Sequence, residues 1–370
     1  MRVPFVDLKS QYQEIKLEID VAIQQVIDQS AFVRGSHVKS FEKNYKTLFG
    51  VEHCISCGNG TDALYISLKA LGIGPGDEVI TTALSWIASS EVITQCGAKV
   101  VFADIEADYY TIDPLDIERK ITKNTKAIIP VHLHGQAANM QAIMSIAERH
   151  NLYVIEDCAQ AHLGKYRGEI LGTFGIAGTF SFYPSKNLGA FGDAGAIISN
   201  NEEFAIKARM FANHGAIEKP DHLLEGINSR MDGIQAAVLS VKLNYLKKWN
   251  QQRKIVANSY TKFLSRIPDI LPPKIRPDSQ HAFHLYVVQT NERDQLRSYL
   301  SDEGIDSSIH YPIALPFLGA YDYLKHCPSD FPVAFGVTQN ILSLPMYPEL
   351  TTNQLERILD TILQSTVRKK

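Results

Sequence analysis

Short apolar runs alternate with helical patterns from residue 52 to residue 156, and this alternation constrains the fold more than any other feature of the sequence. The runs have strand length, whereas the segments between them repeat apolar residues at helical spacing. Strand, helix and strand in repetition predict crossover units, and therefore a mostly parallel sheet between helices. The predicted strands are 53–56, 78–81, 99–102, 127–131 and 152–155, and the predicted helices between them are 61–71, 87–96 and 140–150.

The pattern changes on either side of this region. An amphipathic helix is expected over residues 10–29, further strands over 178–182 and 195–198, and a long helical region from 232 to about 264. Four prolines between 268 and 277 then precede a second alternating unit, with a strand at 283–289, a helix at 294–303 and a C-terminal helix from 352. The sequence thus predicts an α/β large domain over 1–250 and a smaller α+β domain over 251–370.

Composition excludes several classes of protein. With 37 basic and 40 acidic residues, the chain has no electrostatic footprint for nucleic acid or for an anionic membrane. No stretch predicts a membrane span, and the N-terminus lacks the apolar region of a signal peptide, so a cytoplasmic protein is expected. Five scattered cysteines do not form a disulfide framework, and we interpret Cys54 and Cys57 as buried thiols, with no metal expected.

Several residues with reactive or hydrogen-bonding side chains directly follow predicted strands. Open α/β sheets bind their ligands there, at the carboxyl ends of the strands. Gly60 and Thr61 belong to a glycine-rich turn that opens a helix, which suits a phosphate group, although a plain capped turn has the same pattern. Asp157 ends an apolar strand, where it could bind a positive partner or merely cap the next helix. Ser181 precedes a glycine-rich loop that carries Lys186, a candidate Schiff-base amine.

One ligand explains these features together. Pyridoxal 5′-phosphate needs a cradle for its phosphate, an acid beside its ring nitrogen and an amine for its aldehyde. The turn, Asp157 and Lys186 would supply these three groups. The joint pattern is far more specific than any of its parts, so we predict this cofactor.

The chain also resembles the DegT/StrS-type nucleotide-sugar aminotransferases, which are fold type I pyridoxal phosphate enzymes. The likeness extends from PFVDLKSQY at 4–12 to LPMYPEL at 344–350. It implies an aspartate aminotransferase-like large domain. The motifs that carry it are CGNGTDAL at 57–64, GPGDEVI at 74–80, VIEDCAQAHLG at 154–164, SFYPSKNLGAFGDAGAI at 181–197, NSRMDGIQAAVL at 228–239 and HYP at 310–312.

The resemblance implies a role for each matching residue. Lys186 falls on the lysine that binds the cofactor, Asp157 on the acid at the ring nitrogen and Gln160 on the residue near the phenolic oxygen. Trp86 falls on the aromatic residue that stacks on the cofactor, although such a residue could also belong to the core. Asn228 matches an asparagine that reaches the phosphate of the neighbouring subunit, which implies a homodimer. The matching phosphate cradle consists of Gly60, Thr61 and Ser181.

The same resemblance implies transfer of an amino group from L-glutamate to a nucleotide-linked 3-oxo sugar, for surface-polysaccharide or glycoconjugate biosynthesis. A 4-oxo sugar is the main alternative. Pro316 stands where relatives often carry a histidine, which leaves the sugar and its nucleotide, such as dTDP or UDP, open. The candidate substrate residues are Asn213, His214, Arg230, His310 and Tyr311.

Three other functions fit less well. A pyridoxal phosphate sugar dehydratase of this fold would carry a histidine in place of Lys186, as the resemblance implies. A nicotinamide dehydrogenase would need GxGxxG after the first strand, and GNGTDA lacks the third glycine. A protein that only binds the cofactor, in a regulatory role, would not need the lysine, the acid and the cradle together.

Overall fold

A mixed sheet of seven strands forms the centre of the protein, and the computed structural model describes residues 2–217 and 220–367. The strand order is β1-β9-β8-β5-β4-β2-β3. Neighbours from β8 to β3 pair in parallel, whereas β9 is antiparallel to both β8 and β1. The mostly parallel mixed sheet is therefore confirmed. Its strands are β1 (His53–Cys57), β2 (Glu78–Thr82), β3 (Lys99–Ala103), β4 (Thr125–Ile129), β5 (Tyr153–Asp157), β8 (Ala177–Ser181) and β9 (Gly195–Ser199).

Helices cover both faces of this sheet, as the crossover pattern predicts. Two buried clusters divide its strand side chains, so that Ile55 and Ile197 lie in one cluster while Cys54 and Ile198 lie in the other. The helices of this part are α1 (Leu8–Glu14), α2 (Lys16–Asp28), α3 (Ser36–Phe49), α4 (Gly60–Ala70), α5 (Ala88–Gln95), α6 (Pro114–Lys120), α7 (Met140–His150), α8 (Glu202–Phe211) and α9 (Gly233–Leu243).

The prediction of one helix over residues 10–29 is wrong, because the chain breaks at Ile15 into α1 and α2. Ile15 has φ −120° and ψ 19°, outside the helical region. Its side chain is nevertheless buried with Ile19, Val238 and Trp249. The apolar period therefore continues through the break, which is why periodicity alone did not reveal it. The helical region from residue 232 likewise consists of two helices, α9 and α10 (Leu246–Leu264).

The C-terminal part has a small core of its own around a two-stranded antiparallel sheet. Val3, near the N-terminus, packs into this core and bridges to Ile305. In contrast, Leu315 and Phe331 pack against the main sheet. The predicted boundary at residue 250 lies within α10. The elements here are β11 (Tyr286–Gln289), α11 (Arg293–Asp302), α12 (Pro332–Asn340), β12 (Ile341–Leu344) and α13 (Thr352–Val367).

A three-stranded sheet flanks the central one and consists of β6 (Lys165–Tyr166), β7 (Glu169–Ile170) and β10 (Ser279–Gln280). Strands β6 and β7 occupy the segment between β5 and β8. Across the described residues, no helix combines the length and the apolar character needed to cross a bilayer.

Candidate active site

Four segments meet at one edge of the central sheet, because β1, β5 and β8 end there and the antiparallel β9 begins there. Close backbone approach requires glycine at this edge. A Cβ atom on Gly60 would lie 2.6 Å from the Cβ of Ser181, and one on Gly195 would lie 2.2 Å from the carbonyl oxygen of Asn59. The glycine-rich turn, Ser181 and Asp157 therefore lie side by side, as the strand-end argument predicts.

The turn before α4 presents free backbone donors. The side chain of Asn59 caps the helix by accepting from the Asp62 N–H at 2.8 Å. The Ser229 hydroxyl accepts from the Gly58 N–H and donates to the Asp62 carboxylate. In the described parts of the chain, the N–H groups of Gly60 and Thr61 have no acceptor. Two donors at a helix N-terminus are thus available to an anion.

Asp157 lies at the end of β5 and is buried. Its carboxylate accepts hydrogen bonds from the Ser89 hydroxyl at 2.8 Å and from the Ala159 N–H at 3.1 Å. Burial raises the pKa of Asp157, and these two hydrogen bonds and the nearby Lys186 oppose that rise. Ser85 contacts Ser89 in turn, at 2.9 Å. The carboxylate is therefore held in a fixed orientation.

Lys186 lies in the loop between β8 and β9, where burial lowers the pKa of its amine to about 8 while Asp157 acts in the opposite direction. The loop is held from both sides. Phe182 N–H donates to the Ala194 carbonyl, and Ala190 N–H donates to the Phe182 carbonyl. An amine with this pKa is about one-tenth free base at pH 7 and half free base at pH 8, a far larger fraction than for an ordinary lysine, which suits a nucleophilic lysine.

The buried residue next to it, Asn187, anchors the loop to other elements. Its side-chain NH₂ donates to the Asn250 side chain at 2.9 Å and to the Ala282 carbonyl at 2.8 Å. Its side-chain oxygen lies 3.2 Å from Nδ1 of His284. All three partners of Asn187 are distant from it in sequence. The position of the neighbouring Lys186 therefore depends on contacts between its loop and the C-terminal part of the chain.

Histidines are the other titratable groups around Lys186, and burial keeps them neutral. Burial lowers the pKa of His162 to about 3, that of His310 to about 4 and that of His284 well below its ordinary value. In each case the charge of Lys186 acts in the same direction. The surroundings of Lys186 are therefore polar but carry little positive charge.

Gln160 connects the sheet edge to the C-terminal part. Its side-chain NH₂ donates to the Tyr311 hydroxyl at 3.1 Å, and its oxygen accepts from the His134 N–H at 2.5 Å. The ring of Tyr311 lies 5.8 Å from that of Trp86. Trp86 is 60% exposed, which excludes the alternative that it is a core residue. His310 contacts the Ser343 hydroxyl through Nδ1 at 2.9 Å.

The remaining predicted residues form a second group on the loop between α8 and α9. Asn213 is buried, bridges to Asn228 and donates to the Ala216 carbonyl. The N–H of His214 donates to the Ile227 carbonyl. Asn228 is exposed, and Arg230 follows two residues later. Among the described residues, no hydrogen bond or ion pair joins this group to Lys186 of the same chain. Pro316, by contrast, is buried in the short 3₁₀ helix Leu315–Phe317.

In a possible metal-ligand cluster, His132 with Glu156 and Cys158, the histidine and the carboxylate already have hydrogen-bond partners within the protein. Glu156 contacts His132 Nε2 at 3.0 Å and accepts from the backbone N–H groups of residues 172, 174 and 175. His132 Nδ1 accepts from a backbone N–H as well. Cys54 and Cys57 are buried on opposite faces of β1, since strand residues three apart point in opposite directions. Their interpretation as buried thiols is confirmed.

Sequence reasoning missed two residues that position the site, Ser89 and Asn187. Ser85 precedes α5, which begins at Ala88, so the spacing of Ser85 and Ser89 is not that of one helix face and gives no usable local signal. The role of Asn187 has no local signal, because its partners come from α10 and from the segment before β11.

Comparison with known proteins matches residues 13–363 to the model of the DegT/DnrJ/EryC1/StrS aminotransferase family. The chain is 43% identical to a "pleiotropic regulatory protein" of Geobacillus stearothermophilus, over 98% of each chain. It is 40% identical to the dTDP-3-amino-3,4,6-trideoxy-alpha-D-glucose transaminase of Streptomyces venezuelae, over 98% of this chain and 95% of that one.

Among solved structures, the chain resembles S. venezuelae DesV in complex with a ketimine intermediate. The TM-score is 0.96 at 40% identity, and the match covers 98% of each chain.

Proposed function

Since the chain belongs to the DegT/DnrJ/EryC1/StrS aminotransferase family, we propose that it is a pyridoxal phosphate enzyme that transfers an amino group from L-glutamate to a nucleotide-linked 3-oxo sugar. One observation carries the proposal. A lysine amine with a pKa of about 8, a buried carboxylate and a backbone anion cradle converge on one sheet edge.

The residues present fit this cofactor. The N–H groups of Gly60 and Thr61, with the Ser181 hydroxyl, would bind its phosphate without a charged side chain. Asp157 would face the ring nitrogen, and Lys186 would bind the aldehyde carbon. Gln160 would lie near the phenolic oxygen, and Trp86 would cover one face of the ring. When bound, the cofactor withdraws electrons from the carbon that carries the amino group.

The protein's own groups then handle protons and orientation. Lys186 Nζ, in its free-base form, takes a proton from the donor's α-carbon and later returns one to the sugar carbon, and its lowered pKa makes that form accessible. The Ser89 and Ala159 hydrogen bonds favour the charged form of the Asp157 carboxylate and fix its orientation, in which it would face the ring nitrogen. The neutral histidines around Lys186 do not repel a protonated amine, which allows Nζ to cycle between its two states.

The substrate assignment is supported by the relative named as a 3-amino-sugar transaminase. Arg230, His310 and Tyr311, with Asn213 and His214, remain the candidate substrate residues. A 4-oxo sugar remains the alternative, and Lys186 disfavours the dehydratase. One relative is named a "pleiotropic regulatory protein", but we do not propose a regulatory function for this chain. This chain has the lysine, the acid and the phosphate cradle that an aminotransferase needs. The five free cysteines suit the cytoplasmic location that we propose.

Incubation of the purified holoenzyme with glutamate and a panel of 3-oxo and 4-oxo nucleotide sugars tests the reaction. We expect 2-oxoglutarate and a sugar aminated at C3, with the position of the amine read by NMR. Lys186→Ala should form no product, whereas Lys123→Ala, a lysine outside the site, should be as active as the unmodified enzyme. Amination only at C4 would contradict the substrate assignment, and normal turnover by Lys186→Ala would contradict the mechanism.

The cofactor linkage has an independent test. The purified protein should be yellow, and borohydride reduction followed by peptide mass spectrometry should find the cofactor attached at Lys186. Attachment at another lysine would refute the assignment.

We also propose a homodimer in which Asn228 of one subunit reaches the cofactor phosphate of the other. The exposure of Asn228 within a single chain supports this arrangement. Asn228→Ala should weaken cofactor binding, whereas Asn291→Ala, an exposed asparagine before α11, should not. A monomeric holoenzyme, or full cofactor affinity in Asn228→Ala, would contradict the shared site.

A further inference from the structure

A cavity of about 340 Å³ lies behind the turn that opens α4, and its lining carries an excess of positive charge. Four basic side chains and one acidic side chain line it, a local excess of three positive charges in a chain whose net charge is −3. The charged lining residues are Arg34, Lys39, Arg209, Arg230 and Glu42.

The single carboxylate is already engaged. Glu42 forms an ion pair with Arg209 at 3.1 Å and accepts from the N–H and the hydroxyl of Ser56 at 2.9 and 2.7 Å. The described parts of the chain place no carboxylate within 4.0 Å of the cationic groups of Arg34, Lys39 or Arg230. These three side chains therefore present charge to the cavity without an ion pair of their own.

Arg34 shows the electrostatic cost of this arrangement. Partial burial lowers the pKa of its guanidinium, and the nearby guanidinium groups of Arg230 and Arg209 lower it further. Its backbone also has φ +56°, which is uncommon for a residue other than glycine. Arg34 and Lys39 are exposed in the single chain and Arg230 is half-buried. Like charges that converge in this way are stabilised by a bound anion, so the cavity has the character of an anion site.

A nucleotide-linked sugar has a diphosphate that needs such cations. The uncharged cradle at Gly60 would be occupied by the cofactor phosphate, and the histidines around Lys186 are neutral. Arg253 is buried and directs its Nη1 at three backbone carbonyl groups. The surroundings of Lys186 in its own chain thus supply little positive charge for a diphosphate.

The cavity adjoins the segment that, in the proposed homodimer, reaches the second subunit, since Ser229 and Arg230 both line it. Asn228 is exposed, Ser229 is buried and Arg230 is half-buried, an alternation typical of extended chain in which residues 228 and 230 point to the same side. The intervening Ser229 hydroxyl contacts the phosphate turn through the Gly58 N–H and Asp62. A second subunit that receives Asn228 would therefore meet Arg230 and its neighbours as well.

We infer that Arg34, Lys39 and Arg230 form a cationic pocket that binds the diphosphate of the nucleotide sugar held at the partner subunit's Lys186. The inference rests on the proposed function and deepens it by identifying what recognises the nucleotide half of the substrate. Two guanidinium forks and one ammonium group suit the several oxygens of a diphosphate.

Calorimetric titration of the holoenzyme with uridine 5′-diphosphate and with thymidine 5′-diphosphate tests the pocket. The unmodified enzyme identifies which of the two nucleotides is preferred. The double variant Arg34→Ala/Lys39→Ala should bind that nucleotide more weakly, by at least tenfold for each cation removed. The matched control is Arg297→Ala/Lys254→Ala, which removes two exposed cations elsewhere and should bind it normally. The visible absorbance of the cofactor verifies that each variant has an intact site. Equal affinity in the two double variants, or no binding of either nucleotide to the unmodified enzyme, would overturn the inference.

Inorganic pyrophosphate and phosphate distinguish the source of the anion. Pyrophosphate should compete with the nucleoside diphosphate and lose affinity in the same double variant. An inorganic anion that binds through Arg34 without displacing the nucleotide would identify a free-anion site and would overturn the assignment to substrate.

Mixed dimers test the contribution across subunits. Inactive Lys186→Ala subunits mixed with Arg34→Ala/Lys39→Ala subunits should regain about a quarter of the normal number of intact sites, since half of the dimers are mixed and each holds one complete site. No recovery would show that the pocket serves its own chain and would overturn the inference.

Normal amination of a keto sugar with unaltered nucleotide affinity in the double variant would refute only the pocket. Nucleotide binding that depends on Arg34, in an enzyme that aminates no sugar, would refute only the proposed function.

Discussion

Replacement of Gly60 by alanine tests whether close packing at the sheet edge forms the phosphate cradle. The added Cβ would lie 2.6 Å from the Cβ and 3.1 Å from the Cα of Ser181. Ordinary contact begins at 3.4 Å, so the start of α4 and the end of β8 must separate by about 0.8 Å. Neither neighbour is the flexible end of a side chain, because both atoms belong to the Ser181 backbone or are bonded to it directly.

Overpacking of this kind costs about 1–3 kcal/mol of unfolding free energy. The same displacement moves the N–H groups of Gly60 and Thr61 relative to the Ser181 hydroxyl, and misplacement by about 1 Å at a binding site can cost a hundredfold in function. We therefore expect Gly60→Ala to bind pyridoxal phosphate at least tenfold more weakly. Urea unfolding of the apoprotein measures the first effect, and titration of the visible absorbance measures the second.

Gly336→Ala is the matched control. Gly336 lies within α12, a Cβ there would have nothing within 4 Å, and alanine is the better helix former by about 1 kcal/mol. The control should retain full cofactor affinity and be at least as stable as the unmodified protein. If Gly60→Ala behaves in the same way as Gly336→Ala in both measurements, close approach of α4 and β8 does not form the cradle.

Three further predictions follow from individual residues. Without cofactor, the rate at which an amine reagent modifies Lys186 should rise about tenfold per pH unit and level off above pH 8, because the pKa of this lysine is lowered to about 8. Peptide mass spectrometry measures this rate, and a continued rise to pH 10 would indicate an ordinary lysine. Ser89→Ala removes a buried hydrogen bond to Asp157 and should raise the pKa of that carboxyl further, with a loss of about tenfold or more in kcat. Ser90→Ala is the control, because the Ser90 hydroxyl contacts Tyr321 and a backbone carbonyl rather than Asp157. Equal activity of the two variants would contradict the role of Ser89 in orienting Asp157. Of the five cysteines only Cys327 is exposed, so a thiol reagent should titrate one thiol rapidly in the native protein and five after denaturation; two rapid thiols would contradict the burial of the others.

Much of the fold could be predicted because its signals are local. Strands β1 to β5 each bury a short apolar run, and helices α4, α5 and α7 between them show a periodic apolar face, so these positions agree with the predictions to within about two residues. The seven-residue helix α6 was not predicted, because it is too short to show a clear apolar period. Lys186 and Asp157 could be selected for a related reason. Each is a titratable side chain at an unusual position in an apolar or glycine-rich segment, and parallel strands bring such positions to one edge.

The helix break at Ile15 could not be predicted, because the apolar period continues through it. The cysteine pair is a second feature whose behaviour the sequence alone did not reveal. Its CxxC spacing is visible in the sequence, whereas its inability to act as a pair follows from the opposite faces of β1.

What the sequence by itself determined is the strands and most of the helices of the crossover region, and the choice of the candidate reactive groups. The tertiary structure decided how those groups behave, since a lysine or carboxylate acquires its pKa from burial and from neighbours that are distant in the chain. The Ser89 hydroxyl that orients Asp157, the Asn250 and Ala282 partners of Asn187, and the convergence of Arg34 with Arg230 all join segments far apart in sequence. No local pattern encodes such contacts, because they arise only when the completed sheet and its helices bring those segments together.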